Sequence, residues 1–413
     1  MQTRLSAALL ETPAGREADG ILRTCVHCGF CTASCPTYQL LGDELDGPRG
    51  RIYLIKEMLE GGHASRATQL HLDRCLTCRA CETACPSGVR YGRLLEVGRH
   101  HLERVVPRSL RERLLRRALL ATLPHRRRFA ALLALARTLR PLMPARLRRR
   151  IPALGRAGAW PLCRHGRRML VLSGCVQRAA APEINAAAAR VLDGLGISLI
   201  EVEDGCCGAL AHHLSHEDAA RAQMRRNIDV WWPEIARGVE ALVVTASACG
   251  AMIRDYGTLL GNDPVYASRA ARVSALFRDL SQVVAGELAR PGVALEVKSP
   301  RSPASRVAFH APCTLEHGLK IRGLIEPLLE RAGCLLTPVA DSHLCCGSAG
   351  TYSLLQPAIS HQLRANKLAA LEAGTPEAIV TANIGCLMHL ASGTDRPVRH
   401  WIEVLAQAMA PPS

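Results

Sequence analysis

Cys25-x2-Cys28-x2-Cys31-x3-Cys35-Pro36 and, fifty residues later, Cys75-x2-Cys78-x2-Cys81-x3-Cys85-Pro86 decide how this chain is read. Three thiolates at a spacing of three wrap one iron–sulfur cube, and the fourth, just before the proline, reaches the other cube. The spacing therefore predicts crossed ligation of two [4Fe-4S] clusters: Cys25, Cys28, Cys31 and Cys85 for the first, and Cys75, Cys78, Cys81 and Cys35 for the second. Zinc ribbons use paired C-x2-C units with four ligands. Here a third cysteine stands at the same spacing in both runs, which favours clusters over zinc.

Working outward, Ile52 to Glu60 places Ile52, Ile55, Met58 and Leu59 on one helical face, and Gly61-Gly62 ends it. A second helical stretch, Val89 to Val106, follows the second run. The prediction is an α-helical ferredoxin domain over residues 1–105 rather than the small two-sheet type. Arg49 and Arg51 flank Gly50, and two readings stand for them: cations offsetting the charge of a cluster, or a solvated pair in a loop.

Residues 106–160 form a basic amphipathic connector. From Arg108 to Arg150 there are fourteen arginines and one acid, Glu112, which is +13 of the chain's +16. Leucines recur at helical spacing at Leu110, Leu114, Leu115 and Leu119, then at Leu132, Leu133, Leu135 and Leu139 beside Phe129. Such helices lie on anionic membranes or on an acidic partner; the alternative is a solvated helix covering a domain junction. Phe129 is the segment's only aromatic, so no base-stacking platform exists and nucleic acid is not expected as a partner.

The remainder is a duplication. Residues 161–290 and 305–413 each run from an apolar strand to a cysteine, Cys175 or Cys313. Helical stretches follow at 182–195 and 319–332, then Cys206-Cys207-Gly208 and Cys345-Cys346-Gly347, then Cys249 and Cys386 after Val-Thr-Ala. The offsets are 31 and 43 residues in one copy and 32 and 41 in the other. Strands alternating with helices predict two α/β domains with parallel sheets, each cysteine at the carboxyl end of a strand, where open α/β sheets place their sites. Gly292 to Arg306 reads as the linker between the copies. Each copy offers four thiols: Cys175, Cys206, Cys207 and Cys249, and Cys313, Cys345, Cys346 and Cys386. Four suffice for a cubane cluster; the competing reading is buried inert thiols. Cys163 and Cys334 stand alone and read as small buried hydrophobes; His212, His213, His216 and His343 read as surface or core histidines, the alternative being a ligand or proton carrier.

Composition sets the frame. The 413 residues are 48% hydrophobic, 21% charged and only 3% aromatic, which excludes a disordered scaffold. No apolar run approaches the roughly 20 residues of a spanning helix, and no secretory signal is read at the start. The eighteen cysteines are therefore expected as thiols and metal ligands in a cytoplasmic protein.

Two four-cysteine runs followed by two Cys-Cys-Gly domains resemble the iron–sulfur subunits of glycolate oxidase. The match is closest from Thr24 to Phe30-Cys31 and on to Asp46-Gly47-Pro48-Arg49-Gly50-Arg51. Related proteins include the iron–sulfur subunits of anaerobic glycerol-3-phosphate dehydrogenase, lactate-utilisation proteins and heterodisulfide reductase subunits. In the last group each cysteine-rich domain ends in C-x2-C. Here Met252 and His389 replace that final cysteine, which argues against a thiol–disulfide enzyme and against that group's non-cubane cluster. No dinucleotide fingerprint is present, Leu199 standing where the third glycine belongs after Gly194-x-Gly196, and no phosphate loop. The chain is thus expected to lack flavin and NAD. The resemblance implies an electron-transfer subunit with FAD-containing dehydrogenase partners, oxidation of glycolate to glyoxylate, a membrane quinone as acceptor, and peripheral attachment to the inner face of the cell membrane. Glycerol-3-phosphate and lactate are the alternative substrates.

Overall fold

Thr12 and Pro13 begin the first long helix: the Thr12 hydroxyl accepts the Gly15 N–H at 3.0 Å and Pro13 occupies the first helical turn. The helix, Pro13–Thr24, buries Ala18, Ile21 and Leu22 and delivers the chain directly to Cys25. Its apolar face meets helix Tyr91–Val105, which also packs on helix Pro48–Leu59, with Ile52, Ile55, Leu94, Leu95 and Leu102 in this core. Gly98 permits the close crossing of the last two helices, since a Cβ there would stand 2.8 Å from the Ile55 side chain. The first domain is helical, and Cys25, Cys75 and Cys81 are built into its core. The computed structural model describes residues 1–144, 148, 149, 151–153, 155, 157–293 and 305–409. Most of the expected linker, residues 294–304, lies outside the described residues, as do Arg146 and Arg150 of the basic segment.

Helix Pro48–Leu59 starts four residues before the expected Ile52, because Pro48 supplies a ready-made first turn. Arg49 and Arg51 are therefore helical, not loop residues. Arg51 is 1% exposed, and for it the solvated reading is overturned.

The second half consists of two four-stranded sheets, parallel throughout. In the first, β1 (Arg167–Val171), β2 (Ile197–Glu201), β3 (Leu242–Val244) and β4 (Phe277–Asp279) stand in the order β2-β1-β3-β4. In the second, β5 (Ser305–His310), β6 (Cys334–Leu336), β7 (Ala378–Thr381) and β8 (Val398–His400) stand in the order β6-β5-β7-β8. The topologies are the same, as a duplication requires. One apolar core joins the copies, running from Val171, Ile184 and Val243 to Val307, Val380 and Trp401. Helix Glu183–Gly194 matches the expected 182–195. The stretch 319–332 does not: the helix there is Ile325–Arg331, because Lys320 (φ 59°) and Gly323 (φ 65°) hold left-handed backbone that a helix cannot contain. Cys334 is half-buried on β6, while Cys163 is exposed and so is not the buried hydrophobe expected.

Helices Leu110–Thr122 and Arg126–Leu139 carry the basic segment. Ser109 and Glu112 cap the first reciprocally. Leu119 and Leu133 are buried, and the second helix lies against the short helix Gln177–Ala180. Leu110, Leu114, Leu132, Leu135 and Leu139 remain exposed. Among the described residues no helix is long and apolar enough to cross a membrane.

Candidate iron–sulfur sites

The two ferredoxin runs share one backbone device. The residues two and four places after the leading cysteine are left-handed in both: His27 (φ 61°) and Gly29 (φ 86°) in the first, Thr77 (φ 54°) and Arg79 (φ 61°) in the second. Three of these four are not glycine, so the conformation costs about 1–3 kcal/mol per residue unless the surroundings demand it. Such turns direct successive N–H groups toward an anionic guest. The Thr77 N–H already points at Cys75 Sγ, at 3.5 Å.

Cys25, Cys28, Cys31 and Cys85 line a single pocket with Arg49, Ile52, Val89 and Tyr91, around roughly 430 Å³ of atom-free space partly open to solvent. These are the four residues expected for the first cluster. Burial, then the neighbouring Cys25, Cys85 and Cys28 thiols, pushes the Cys31 thiol up to about 11. Such a thiol stays protonated until a metal displaces the proton. Cys28 is exposed, and Val26 and Phe30 beside it are 67% and 65% exposed, so this pocket opens at an apolar rim. Arg49 stands at the pocket wall and pairs with Glu44 at 2.6 Å.

Cys75, Cys78, Cys81 and Cys35 form the second group, and it is buried deeper. Burial, then Cys78, Cys75 and Cys35, holds the Cys81 thiol well above its ordinary range. Cys81 also lines the first pocket, so the two groups adjoin. Behind the second group lies a buried ionic network. Asp46 is fully buried and receives Arg74 at 2.7 Å, His71 at 3.0 Å and Arg51 at 3.4 Å. Arg51 also donates to Thr37 Oγ1 and to the His71 carbonyl. Thr37 in turn lies 3.3 Å from Cys35 Sγ.

Each Cys-Cys-Gly copy also gathers its four thiols at the carboxyl ends of its strands. In the first, hydrogen bonds from Cys175 and Cys207 draw the Cys206 thiol well below its ordinary range, helped by the Gly208 and Leu210 N–H groups. Tyr256 donates to the Cys207 carbonyl at 2.8 Å and Asn227 to the Cys206 carbonyl at 2.9 Å, which fixes the loop. In the second, Cys313 and Cys345 Sγ stand 3.7 Å apart, and Cys346 hydrogen-bonds to both Cys345 and Cys386. Lys367, only 4% exposed, ties down the preceding loop through the Asp341 and Ser342 carbonyls.

The ferredoxin domain sits on both copies. Tyr352 donates to the Arg74 carbonyl at 2.9 Å, His317 bridges Thr83 and the His343 carbonyl, and Arg79 pairs with Asp255 at 3.3 Å. Cys78 packs in the same apolar cluster as Cys313 and Cys345, so the second ferredoxin group abuts the second Cys-Cys-Gly group. Of the other expected residues, His212 pairs with Glu96 at 3.1 Å, across the junction of the ferredoxin domain with the first copy; His213 and His216 are exposed. The cysteine pattern gave no hint of His310, Lys367, Tyr352 or His317.

The donor chemistry fits iron–sulfur clusters: soft thiolates in fours, an enclosing backbone of N–H groups, and burial. A helical domain with two ferredoxin-type cysteine runs, set on two cysteine-rich α/β domains, defines an electron-transfer subunit of the iron–sulfur kind. The 4Fe-4S dicluster domain family matches residues 21–89, and the cysteine-rich domain family matches residues 169–254 and 307–391. The glycolate oxidase iron-sulfur subunit of Escherichia coli (strain K12) is 53% identical over 99% of both chains. Lactate utilization protein A of an Exiguobacterium strain is 27% identical over 57% of this chain and 95% of its own. A crystal structure of a hypothetical protein from Helicobacter pylori shares the fold at TM-score 0.54 and 11% identity, covering 97% of this chain and 73% of that one. The chain belongs to the family of glycolate oxidase iron–sulfur subunits.

Proposed function

We propose that this chain is the electron-transfer subunit of a multi-subunit glycolate oxidase, taking electrons from an FAD-containing partner as glycolate becomes glyoxylate and passing them toward membrane quinone. Cys25, Cys28, Cys31 and Cys85 would hold one [4Fe-4S] cluster, and Cys75, Cys78, Cys81 and Cys35 the other; the Cys-Cys-Gly quartets would hold further metal. When bound, the clusters supply one-electron redox chemistry. The observation carrying this reading is the unbroken row of thiol groups from exposed Cys28, through Cys81 and Cys78, to Cys313. The chain's own residues hold the thiolates, exclude water from the inner groups, and leave one apolar rim at Val26 and Phe30 where a redox partner can approach. The fourfold division into 1–105, 106–160, 161–290 and 305–413 goes with this assignment. Lactate and glycerol-3-phosphate remain the rival substrates. Assay of the complex purified with its partner subunits, on the three substrates side by side, decides among them: glycolate turnover supports the reading, and turnover of another alone refutes it.

The basic segment fits attachment to an anionic leaflet. Arg111, Arg113, Arg117, Arg126 and Arg127 have no acidic partner among the described residues, beside exposed Leu110, Leu114, Leu132 and Leu135. Leu133 and half-buried Phe129 face the protein, so they do not insert. Each basic residue near such a surface contributes about 1 kcal/mol, weakened by salt. Replacing Arg126, Arg127 and Arg128 with Glu places acids at the start of helix Arg126–Leu139, where the helix dipole favours them, so the fold is retained. The variant complex is expected in the soluble fraction with dye-linked glycolate oxidation intact. A variant that stays on membranes but loses its flavoprotein partner would make the segment a docking surface instead.

A further inference from the structure

His310 is the last residue of β5, three places before Cys313, and its side chain is buried at 2% exposure. One ring nitrogen, Nδ1, lies 2.9 Å from Thr381 Oγ1 on the neighbouring strand, where His310 and Thr381 are paired in register. The other, Nε2, is buried without a hydrogen-bond partner among the described residues. A buried polar nitrogen left unpaired is unfavourable and marks a missing partner. The partners on hand are two thiols: a His310 ring nitrogen, Cys346 Sγ and Cys386 Sγ all lie within 4.8 Å of one another. With Nδ1–H donating to Thr381, Nε2 presents its lone pair, the arrangement by which a second oxygen fixes the tautomer of a ligating histidine.

The other copy lacks this pair. Leu172 stands three residues before Cys175, as His310 does before Cys313, and Val244 stands five before Cys249, as Thr381 does before Cys386. Both are buried among apolar side chains. At the matching strand positions the first copy therefore carries neither the imidazole nor the hydroxyl.

We propose that His310 Nε2 is a metal ligand of the second Cys-Cys-Gly site, so that the two sites have diverged into an all-thiolate one and a thiolate–imidazole one. This rests on the reading that the Cys-Cys-Gly quartets bind metal. The mixed donor set suits a borderline transition metal, either an iron of a sulfide-containing cluster or a single zinc ion. In the iron case, an imidazole that takes the place of one of the four thiolates on the metal removes one negative charge, which makes this site the easier one to reduce. Its place against Cys78 would then set the order in which the groups fill with electrons.

The test compares the wild-type complex, purified without oxygen, with His310→Leu, which installs the residue the first copy carries, and with His310→Cys. Iron, zinc and acid-labile sulfide are counted per chain, and nitrogen couplings are read by pulsed electron paramagnetic resonance of the reduced protein. For an iron site, the wild type is expected to show a directly bound imidazole nitrogen that both variants lose, with iron retained on the quartet's thiolates in both, as in the first copy. For a zinc site, one zinc without matching sulfide is expected, held about 10–100-fold more weakly against a chelator in His310→Leu. Unchanged metal content, affinity and spectra in His310→Leu would overturn the ligand assignment and leave metal binding by the quartet standing. A wild type carrying no metal beyond its ferredoxin clusters would overturn both.

Discussion

Cys78→Ser is expected to cut quinone-linked turnover of the complex by on the order of 100-fold or more, while the flavoprotein partner still reduces an artificial dye at the wild-type rate. Cys78 belongs to the inner ferredoxin quartet and packs in the apolar cluster that holds Cys313 and Cys345, where the ferredoxin domain adjoins the second Cys-Cys-Gly group. Serine keeps the volume but offers a hard oxygen where a soft thiolate is needed. Cys28→Ser is expected to act in the same direction from the other end, at the exposed rim. Exposed Cys163, a member of no quartet, is the matched control, and Cys163→Ser is expected to leave both activities unchanged. Quinone-linked activity surviving both Cys28→Ser and Cys78→Ser would take these thiols off the electron path.

The second large effect concerns stability. Asp46→Ala removes the carboxylate shared by Arg51, Arg74 and His71 and leaves the Arg51 guanidinium 1% exposed without its carboxylate partner. Breaking a buried pair from one side costs about 3–5 kcal/mol, because the remaining charge has lost its water and its partner together. The loss falls on the wall behind Cys35 and Cys75, so a lower denaturation midpoint and earlier bleaching of the visible absorbance are expected together. Arg23→Ala breaks a solvent-facing pair with Asp19 on the same domain and is expected to cost only about 0.2–1 kcal/mol. Equal midpoints for the two variants under anaerobic denaturation would refute a structural role for the network.

What could be read in the sequence was what local spacing controls. The two cysteine runs are legible from thiols three apart and a proline; in the structure Cys85 and Cys81 of the second run line one pocket with Cys25, Cys28 and Cys31. The duplication followed from matched offsets, and the two sheets share one strand order. The misses depend on contacts distant in sequence. Arg51 stood between two readings because His71 and Arg74, which close the network around it and Asp46, come twenty or more residues later. Leu133 reads like the other leucines of the basic stretch, but helix Arg126–Leu139 packs on helix Gln177–Ala180, some forty residues later, and Leu133 is buried. The helix expected from residue 319 failed at Lys320, whose left-handed backbone no propensity predicts. His310 was passed over as one histidine ending an apolar strand; setting it against Leu172 of the first copy would have singled it out.

Iron and acid-labile sulfide counted per chain in the anaerobically purified complex test the central claim most directly. Two loaded ferredoxin quartets give about eight irons with equal sulfide, rising toward about sixteen as the Cys-Cys-Gly quartets fill with cubane clusters. Zinc in the ferredoxin quartets, with no acid-labile sulfide in the protein, would contradict the account.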